Sequence, residues 1–240
     1  TDSSAASDVY KRQILNTPKY PLELPSTGET IEFRPFLVKE QKVLLLAQQS
    51  NKSKMMTQAT LDIIKNCTYG VVTEKNPLFD LEYVFLNLRA KSVGESVDVV
   101  VTCPDDNKTK EKVKINLEDI NVQMPENHTN EINITDDVKI VMNYPTIKDV
   151  DMTGKQTTDE VFNTIKKCVK EIHSKDGVLS KGDYTEKELD DFFDSFNTQQ
   201  FEKVMDFFNT MPKVRHEIEV KNSKTKKKNK ILLEGLDSFF

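Results

Sequence analysis

The chain has 240 residues, with 34 basic and 39 acidic side chains and a formal net charge of −5. This balance argues against a protein that binds nucleic acid over its whole surface, since that would need a net positive field. A hydrophobic fraction of 37% with 13 Phe supports a packed core, and the length allows one large domain or two modest ones. No apolar run approaches the roughly 20 residues of a membrane-spanning helix, so no membrane partner is expected.

The first residues and the cysteines carry no signal for secretion or for disulfide bonds. Residues 1–8 are small and polar and lack the apolar stretch of a signal peptide, so we expect residues 1–20 to form a flexible arm. Cys67, Cys103 and Cys168 are odd in number and far apart, which is typical of reduced thiols in a cytosolic setting.

The first half of the chain predicts a short extended region, three helices and a β-hairpin. Pro35 ends the extended region and opens an apolar helix, and apolar residues after Pro77 recur at i, i+3 and i+4 until Gly94 ends that helix. In chain order the predicted elements are extended residues 19–36, helices over 38–49, 55–67 and 78–93, and a hairpin over 97–117.

The second half predicts a similar order of elements. Two capping boxes, Thr157 with Glu160 and Thr185 with Glu188, mark the starts of helices. The apolar stripe after the first capping box predicts a helix that continues to Ile172. The remaining predictions are a polar linker over 123–130, strands over 132–134 and 138–142, a last helix around 201–208, and strands over 214–220 and 231–233.

The two halves also share sequence. Residues 107–120 read NKTKEKVKINLEDI and residues 223–236 read SKTKKKNKILLEGL, with eight identities over 14 positions. Upstream, residues 64–67 (IKNC) match residues 165–168 (IKKC) in the same order. We therefore predict an α+β fold with an internal duplication. Two helix-plus-hairpin units, residues 21–122 and 131–240, flank the linker and pack about a pseudo-twofold axis.

Signals for catalysis or cofactor binding are weak. The chain has seven glycines, and none of them forms a dinucleotide-binding or phosphate-binding loop. Its three histidines lack the spacing of metal ligands, and Cys103 lies at a hairpin tip without the second cysteine that a zinc site needs. We expect no enzyme, no cofactor, no metal and no catalytic residue; an active site between the halves ranks last among the alternatives.

Two features suit contacts with a partner. The turn over residues 224–230 carries five lysines, for which a solvated turn, an acidic protein surface and nucleic acid are the alternatives in that order. No arginine or aromatic residue interleaves with them, so nucleic acid is the weakest choice. Lys226, Lys227 and Lys228 are candidate contacts. So are Phe239 and Phe240, which fit either the chain's own core or a partner.

Residues 31–42, IEFRPFLVKEQK, resemble the opening signature of the baseplate hub proteins of T-even type phages. Residues 85–95 and 207–213 are similar to two further stretches of that family. The resemblance adds Arg34 and Phe36 as candidate partner contacts.

The resemblance implies a non-enzymatic structural or assembly protein of a tail baseplate hub. Its partners would be other hub and tail proteins, with self-association as a further option. Family members include hub subunits and assembly chaperones, so both roles stay open, as do the host cytoplasm during assembly and the virion tail. The alternative function is a nucleic-acid-binding module that uses the lysine-rich hairpins.

Overall fold

The computed structural model describes residues 17–50, 52–150 and 157–239, and these ranges mix helices and strands. The α+β class is therefore confirmed. Residues 1–16, most of the predicted arm, lie outside the described residues. The helices are α1 (Val38–Gln49), α2 (Ser53–Cys67), α3 (Leu78–Val93), α4 (Thr158–Cys168), α5 (Glu186–Asp194) and α6 (Thr198–Thr210).

The strands form four antiparallel sheets. Two are simple hairpins, β1–β2 and β3–β4; one has the order β11-β10-β5, and the largest has the order β6-β7-β8-β9. Their bounds are β1 (Tyr20–Glu23), β2 (Thr30–Phe33), β3 (Ser96–Thr102), β4 (Lys110–Asn116), β5 (Asn121–Gln123), β6 (Glu131–Asn133), β7 (Lys139–Met142), β8 (Val169–Ser174), β9 (Gly177–Ser180), β10 (Lys213–Lys221) and β11 (Lys228–Glu234). Short 3-10 turns follow β4 at Leu117–Asp119 and β11 at Leu236–Phe239.

Three apolar cores hold these elements. The first lies between the β1–β2 hairpin and helices α2 and α3. The second lies between the inner faces of the β3–β4 and β10–β11 hairpins, which come from opposite halves of the chain. The third covers the four-stranded sheet with α4, α5 and α6. The second core therefore joins the two halves of the sequence.

Local sequence explains where the helices of the second half begin. The Thr157 hydroxyl accepts from the Glu160 amide, and the Glu160 carboxylate accepts from the Thr157 amide at 2.6 Å. Thr185 and Glu188 make the same reciprocal pair, with 2.7 Å between the Thr185 amide and the Glu188 carboxylate. Each box satisfies amides that the first helical turn leaves without partners, so both predicted starts are confirmed.

The prediction that the helix after Thr157 continues to Ile172 is wrong. Helix α4 ends at Cys168, and the chain continues as β8 paired with β7. Met142 pairs with Val169 whereas Val141 pairs with Glu171, so one residue of β8 bulges out of the ladder. The bulge turns both Val169 and Ile172 toward the third core, and this three-residue spacing imitates a helical stripe.

The sequence also gave no sign of β5. Residues 121–123, at the end of the first predicted unit and the start of the linker, pair with β10 of the second unit. A second link lies near the start of α3, where the Leu78 amide donates to the Pro145 carbonyl at 3.0 Å. The halves are therefore joined by backbone hydrogen bonds as well as by the shared core.

Candidate partner-binding surface

An ion pair sets the start of helix α1. The Arg34 guanidinium lies 2.9 Å from one Glu40 carboxylate oxygen, and the other oxygen accepts from the Leu37 amide at 2.8 Å. Glu40 is 4% exposed. Burial alone would raise the pKa of Glu40, but the hydrogen bonds from Arg34 and Leu37 outweigh it and hold that pKa below its ordinary value. Glu40 is therefore a buried, charged anchor for the first turn of α1.

Two further contacts connect this anchor to the first core. The Arg34 amide donates to the Cys67 carbonyl at the end of α2, at 3.0 Å. The Phe36 amide donates to the Ser92 hydroxyl at 2.9 Å, and the Phe36 ring packs into the first core. The structure thus places Arg34 and Phe36 inside the fold, where they orient α1. A direct contact of either residue with a partner stays a prediction.

Helix α1 turns apolar side chains to solvent. It buries Glu40 and Ala47 on one side, whereas Val38, Leu45 and Leu46 on the opposite side are 67%, 50% and 65% exposed. At about 100° per residue these three side chains fall within an arc of about 100°. We call Val38, Leu45 and Leu46 the α1 face.

An exposed apolar face of this kind is unusual on a protein that acts alone. Single exposed apolar residues are common, whereas three on one side of a helix, here with Lys42 among them, are typical of a contact surface. Burying one Val or Leu side chain contributes about 1.5–3 kcal/mol, so a partner that covers the α1 face gains a substantial driving force. Leu37 and Val43 are also exposed but lie outside this arc.

These residues were not among the candidates from sequence. A signal was present in the run Val43-Leu44-Leu45-Leu46, which places apolar side chains all round the helix. Only one side of a surface helix can face its own core, so such a run leaves some apolar side chains for another protein.

The lysine-rich turn is partly neutralised by its own hairpin. Lys228 lies 2.6 Å from Glu219, and Lys230 lies 3.0 Å from Glu217, both across the β10–β11 ladder. Lys226 has a positive φ of 65° and donates to the Ser223 carbonyl at 2.6 Å. Lys226 and Lys227 are exposed. The turn therefore presents less free positive charge than its sequence suggests.

The same turn is a joint between the two hairpins. The Asp105 carboxylate accepts from the Asn222 side-chain amide at 2.8 Å and also from the Thr225 hydroxyl. The Glu111 carboxylate accepts from the Ser223 amide at 2.7 Å. One role of this turn is thus structural, because it holds the β10–β11 hairpin against the β3–β4 hairpin.

The terminal phenylalanines can be placed only in part. Phe239 ends the last 3-10 turn, and Phe240 lies outside the described residues. Their choice between core and partner stays open.

A cleft of about 460 Å³ lies between the halves, with walls from α3, α4, α6 and β10. Its ionisable side chains include Glu82, Lys213 and Glu234. Glu82 accepts from the Leu236 amide at 3.1 Å, and Glu234 bonds Lys213 at 3.1 Å and Arg215 at 2.8 Å. Burial raises the pKa of Glu234, but these two cations lower it further than burial raises it. The Glu82 hydrogen bond crosses between the halves, whereas the Glu234 ion pairs lie within the β10–β11 hairpin.

The cysteines are buried free thiols. Burial raises the pKa of Cys67 to about 11 and that of Cys168 to about 12, which keeps both protonated and weakly nucleophilic at neutral pH. Within the described ranges, no three His, Cys, Asp or Glu side chains gather as a metal site would require. Among the helices that the structure describes, none has the length and apolarity to cross a bilayer.

Comparison with known proteins gives one match. The model of a family described as T4 bacteriophage base plate protein matches residues 17–240. No curated protein and no solved structure matches the chain significantly. The matched range includes α1, the Arg34–Glu40 pair, and the β3–β4 and β10–β11 hairpins.

Proposed function

Because the chain belongs to the T4 bacteriophage base plate protein family, we propose that it is a non-enzymatic protein of the baseplate hub that works by holding other hub and tail proteins. The observation that carries the proposal is the exposed α1 face, Val38, Leu45 and Leu46. It is an apolar surface on a helix whose position is set by the buried Arg34–Glu40 pair. A surface that is already ordered costs little conformational entropy when a partner binds.

The paired contacts in the two halves support a further part of the proposal, an internal duplication with a pseudo-twofold axis. The Arg34 amide bonds the Cys67 carbonyl, and the Asn143 amide bonds the Cys168 carbonyl at 2.7 Å; both cysteines end a helix. Each long hairpin also has one non-glycine turn residue at positive φ, Asn107 at 52° and Lys226 at 65°, although the sequence repeat pairs Asn107 with Ser223.

The α1 face is tested by a double variant, Leu45→Ser with Leu46→Ser, introduced into the phage that encodes the chain. We expect the variant chain to fold and baseplate assembly to fail, because the partner loses its apolar contact. Lys187→Ser with Asp191→Ser, at two exposed positions on α5, is the control double variant. Normal baseplate yield from the double variant would refute the α1 face as the contact surface.

A second measurement distinguishes a hub subunit from an assembly chaperone. A hub subunit is present in purified virions, whereas an assembly chaperone acts in the host cytoplasm and is absent from the finished tail. Quantitative mass spectrometry of purified tails distinguishes them.

A further inference from the structure

The edge of strand β10 is covered by β5, a strand of three residues. The pairs are Lys213 with Gln123, Val214 with Val122, and Arg215 with Asn121. Val214, at the centre of this short ladder, is fully buried. The β5 strand is reached from β4 through the 3-10 turn Leu117–Asp119 and Ile120. In this fold, β5 thus pairs with the free edge of the β10–β11 hairpin as a third strand.

The other hairpin has the same backbone arrangement at the corresponding point. The Gly235 amide donates to the Val214 carbonyl at 3.1 Å, and the Leu117 amide donates to the Glu95 carbonyl at 2.7 Å. Each bond closes the open end of its hairpin, so Glu95 occupies in the β3–β4 hairpin the position of Val214 in β10–β11. Gly94 and Ser96 then correspond to Lys213 and Arg215, the residues that pair with the ends of β5.

Among the described residues, no second strand pairs with this corresponding edge, and the 3-10 turn Leu236–Phe239 lies beside β3. Val93, Gly94, Glu95 and Ser96 are all exposed, and a Cβ added to Gly94 would meet nothing within 4 Å. Because the Glu95 carbonyl points to β4, alternation along the strand points the backbone groups of Gly94 and Ser96 away from β4. Two amides and two carbonyls therefore face outward, the same set that β5 occupies on β10.

We propose that the edge of β3 at Gly94–Ser96 binds an extended segment of a partner protein, antiparallel to β3, in the place that β5 takes on β10. Strand addition to an open sheet edge is a general way for one chain to recognise another. Backbone hydrogen bonds from Gly94 and Ser96 supply the register, and exposed Val93 supplies an apolar contact next to it.

The charge at this edge selects the partner's side chain. The ammonium of Lys91 lies 3.3 Å from Glu95 and 2.6 Å from Glu118, so one cation serves two carboxylates. The local excess of negative charge favours Lys or Arg in the segment opposite Glu95, where β5 has Val122 opposite Val214.

Peptide titration tests this directly. The probes are two capped pentapeptides based on residues 120–124, with Lys or Glu in place of the central Val. We expect the Lys peptide to shift the NMR amide signals of Gly94 and Ser96 with a millimolar Kd, and the Glu peptide to bind about tenfold more weakly. Shifts elsewhere only, or no preference for Lys, would overturn the proposal.

A pair of variants at one position sharpens the result. Ser96→Pro removes an outward amide without touching the β3–β4 ladder, because proline is tolerated on a free edge. Ser96→Ala keeps that amide. The Lys peptide is expected to bind the Ala variant like the unchanged chain and to lose binding to the Pro variant. Equal binding by both variants, or pairing of two copies of this chain through β3, would refute a partner segment at this edge.

The edge is separate from the α1 face, and the inference rests on the proposed role in holding other proteins. The two can fail separately. If the peptides do not bind but the α1 double variant still stops assembly, only the β3 edge is refuted.

Discussion

The side-chain amide of Asn222 donates to the carboxylate of Asp105 at 2.8 Å, although these residues lie 117 positions apart. Thr225 donates to the same carboxylate, and the Asp105 amide in turn donates to Asn229 at 3.2 Å. Asp105 thus joins the tips of the two long hairpins, beside the contact of Glu111 with the Ser223 amide. The lysine-rich turn is therefore exposed to solvent and at the same time stabilises the packing of the two hairpins.

Replacement of Asp105 should separate the hairpin tips. The Thr225 and Asn222 hydrogen bonds hold the pKa of Asp105 below its ordinary value of 3.8, so the carboxylate stabilises the fold above about pH 4 and the effect is lost as pH falls through the lowered folded pKa. We expect Asp105→Ala to lower the Tm at pH 7 and to lower it progressively less as pH falls below about 4. Asp136→Ala, an exposed acid on a different turn, is the control. An equal loss for both variants at pH 7 would contradict a specific joint.

Glu40 should be a large contributor to stability. Removal of one partner from a buried ion pair leaves the other charge uncompensated and costs about 3–5 kcal/mol. We expect Glu40→Ala to lower the free energy of unfolding by about 3 kcal/mol in urea denaturation, whereas Glu40→Gln loses less because it can still accept from the Leu37 amide. Lys39→Ala, whose side chain is 73% exposed, should change little. A loss below about 0.5 kcal/mol for Glu40→Ala would show that the pair does not anchor α1.

His128 should make the fold sensitive to mild acid. Its Nδ1 lies 3.0 Å from the Thr210 hydroxyl, which donates its own proton to the Asp206 carbonyl; Nδ1 therefore carries the hydrogen. Nε2 is buried without a hydrogen-bond partner in the described structure. The ring stacks on Tyr144 and packs at a tilt against Phe207.

The sign of this effect follows from burial, which lowers the pKa of His128 below its ordinary value of 6.5. The unfolded chain therefore binds the proton more readily, and stability that is present above about pH 6.5 is lost as pH falls through the folded pKa. The slope is at most about 1.4 kcal/mol per pH unit for one group. We expect His128→Phe to keep the stacking and to reduce the fall in unfolding free energy between about pH 7 and pH 5. An unchanged pH profile would refute the role of His128.

The lysine turn should bind nucleic acid weakly. Because Glu217 and Glu219 neutralise Lys230 and Lys228, we expect no retention of a single-stranded DNA of about 20 nucleotides at about 150 mM salt. A Glu217→Ala and Glu219→Ala double variant frees two cations and should bind more tightly at low salt, with a steeper salt dependence. Tight binding by the unchanged chain at about 150 mM salt would favour the nucleic-acid alternative.

The sequence alone determined the elements whose signals are local. The bounds of α1, the capping boxes of α4 and α5, and the turns of both long hairpins follow from residues a few positions apart, such as Thr157 and Glu160. Proline and glycine at helix ends contributed in the same way. The family resemblance on residues 31–42 also came from a contiguous segment.

Only the tertiary structure decided β8, β5 and the α1 face. Val169 and Ile172 fit a helix as well as a bulged strand, and pairing with β7 made the choice. Asn121–Gln123 is too short to have a pattern of its own, and its strand exists because β10 has an open edge. Leu45 and Leu46 have the composition of core residues, yet no element of the described fold covers them. In each case the deciding partner is distant along the chain, and burial or pairing with a distant partner leaves no local trace in the sequence.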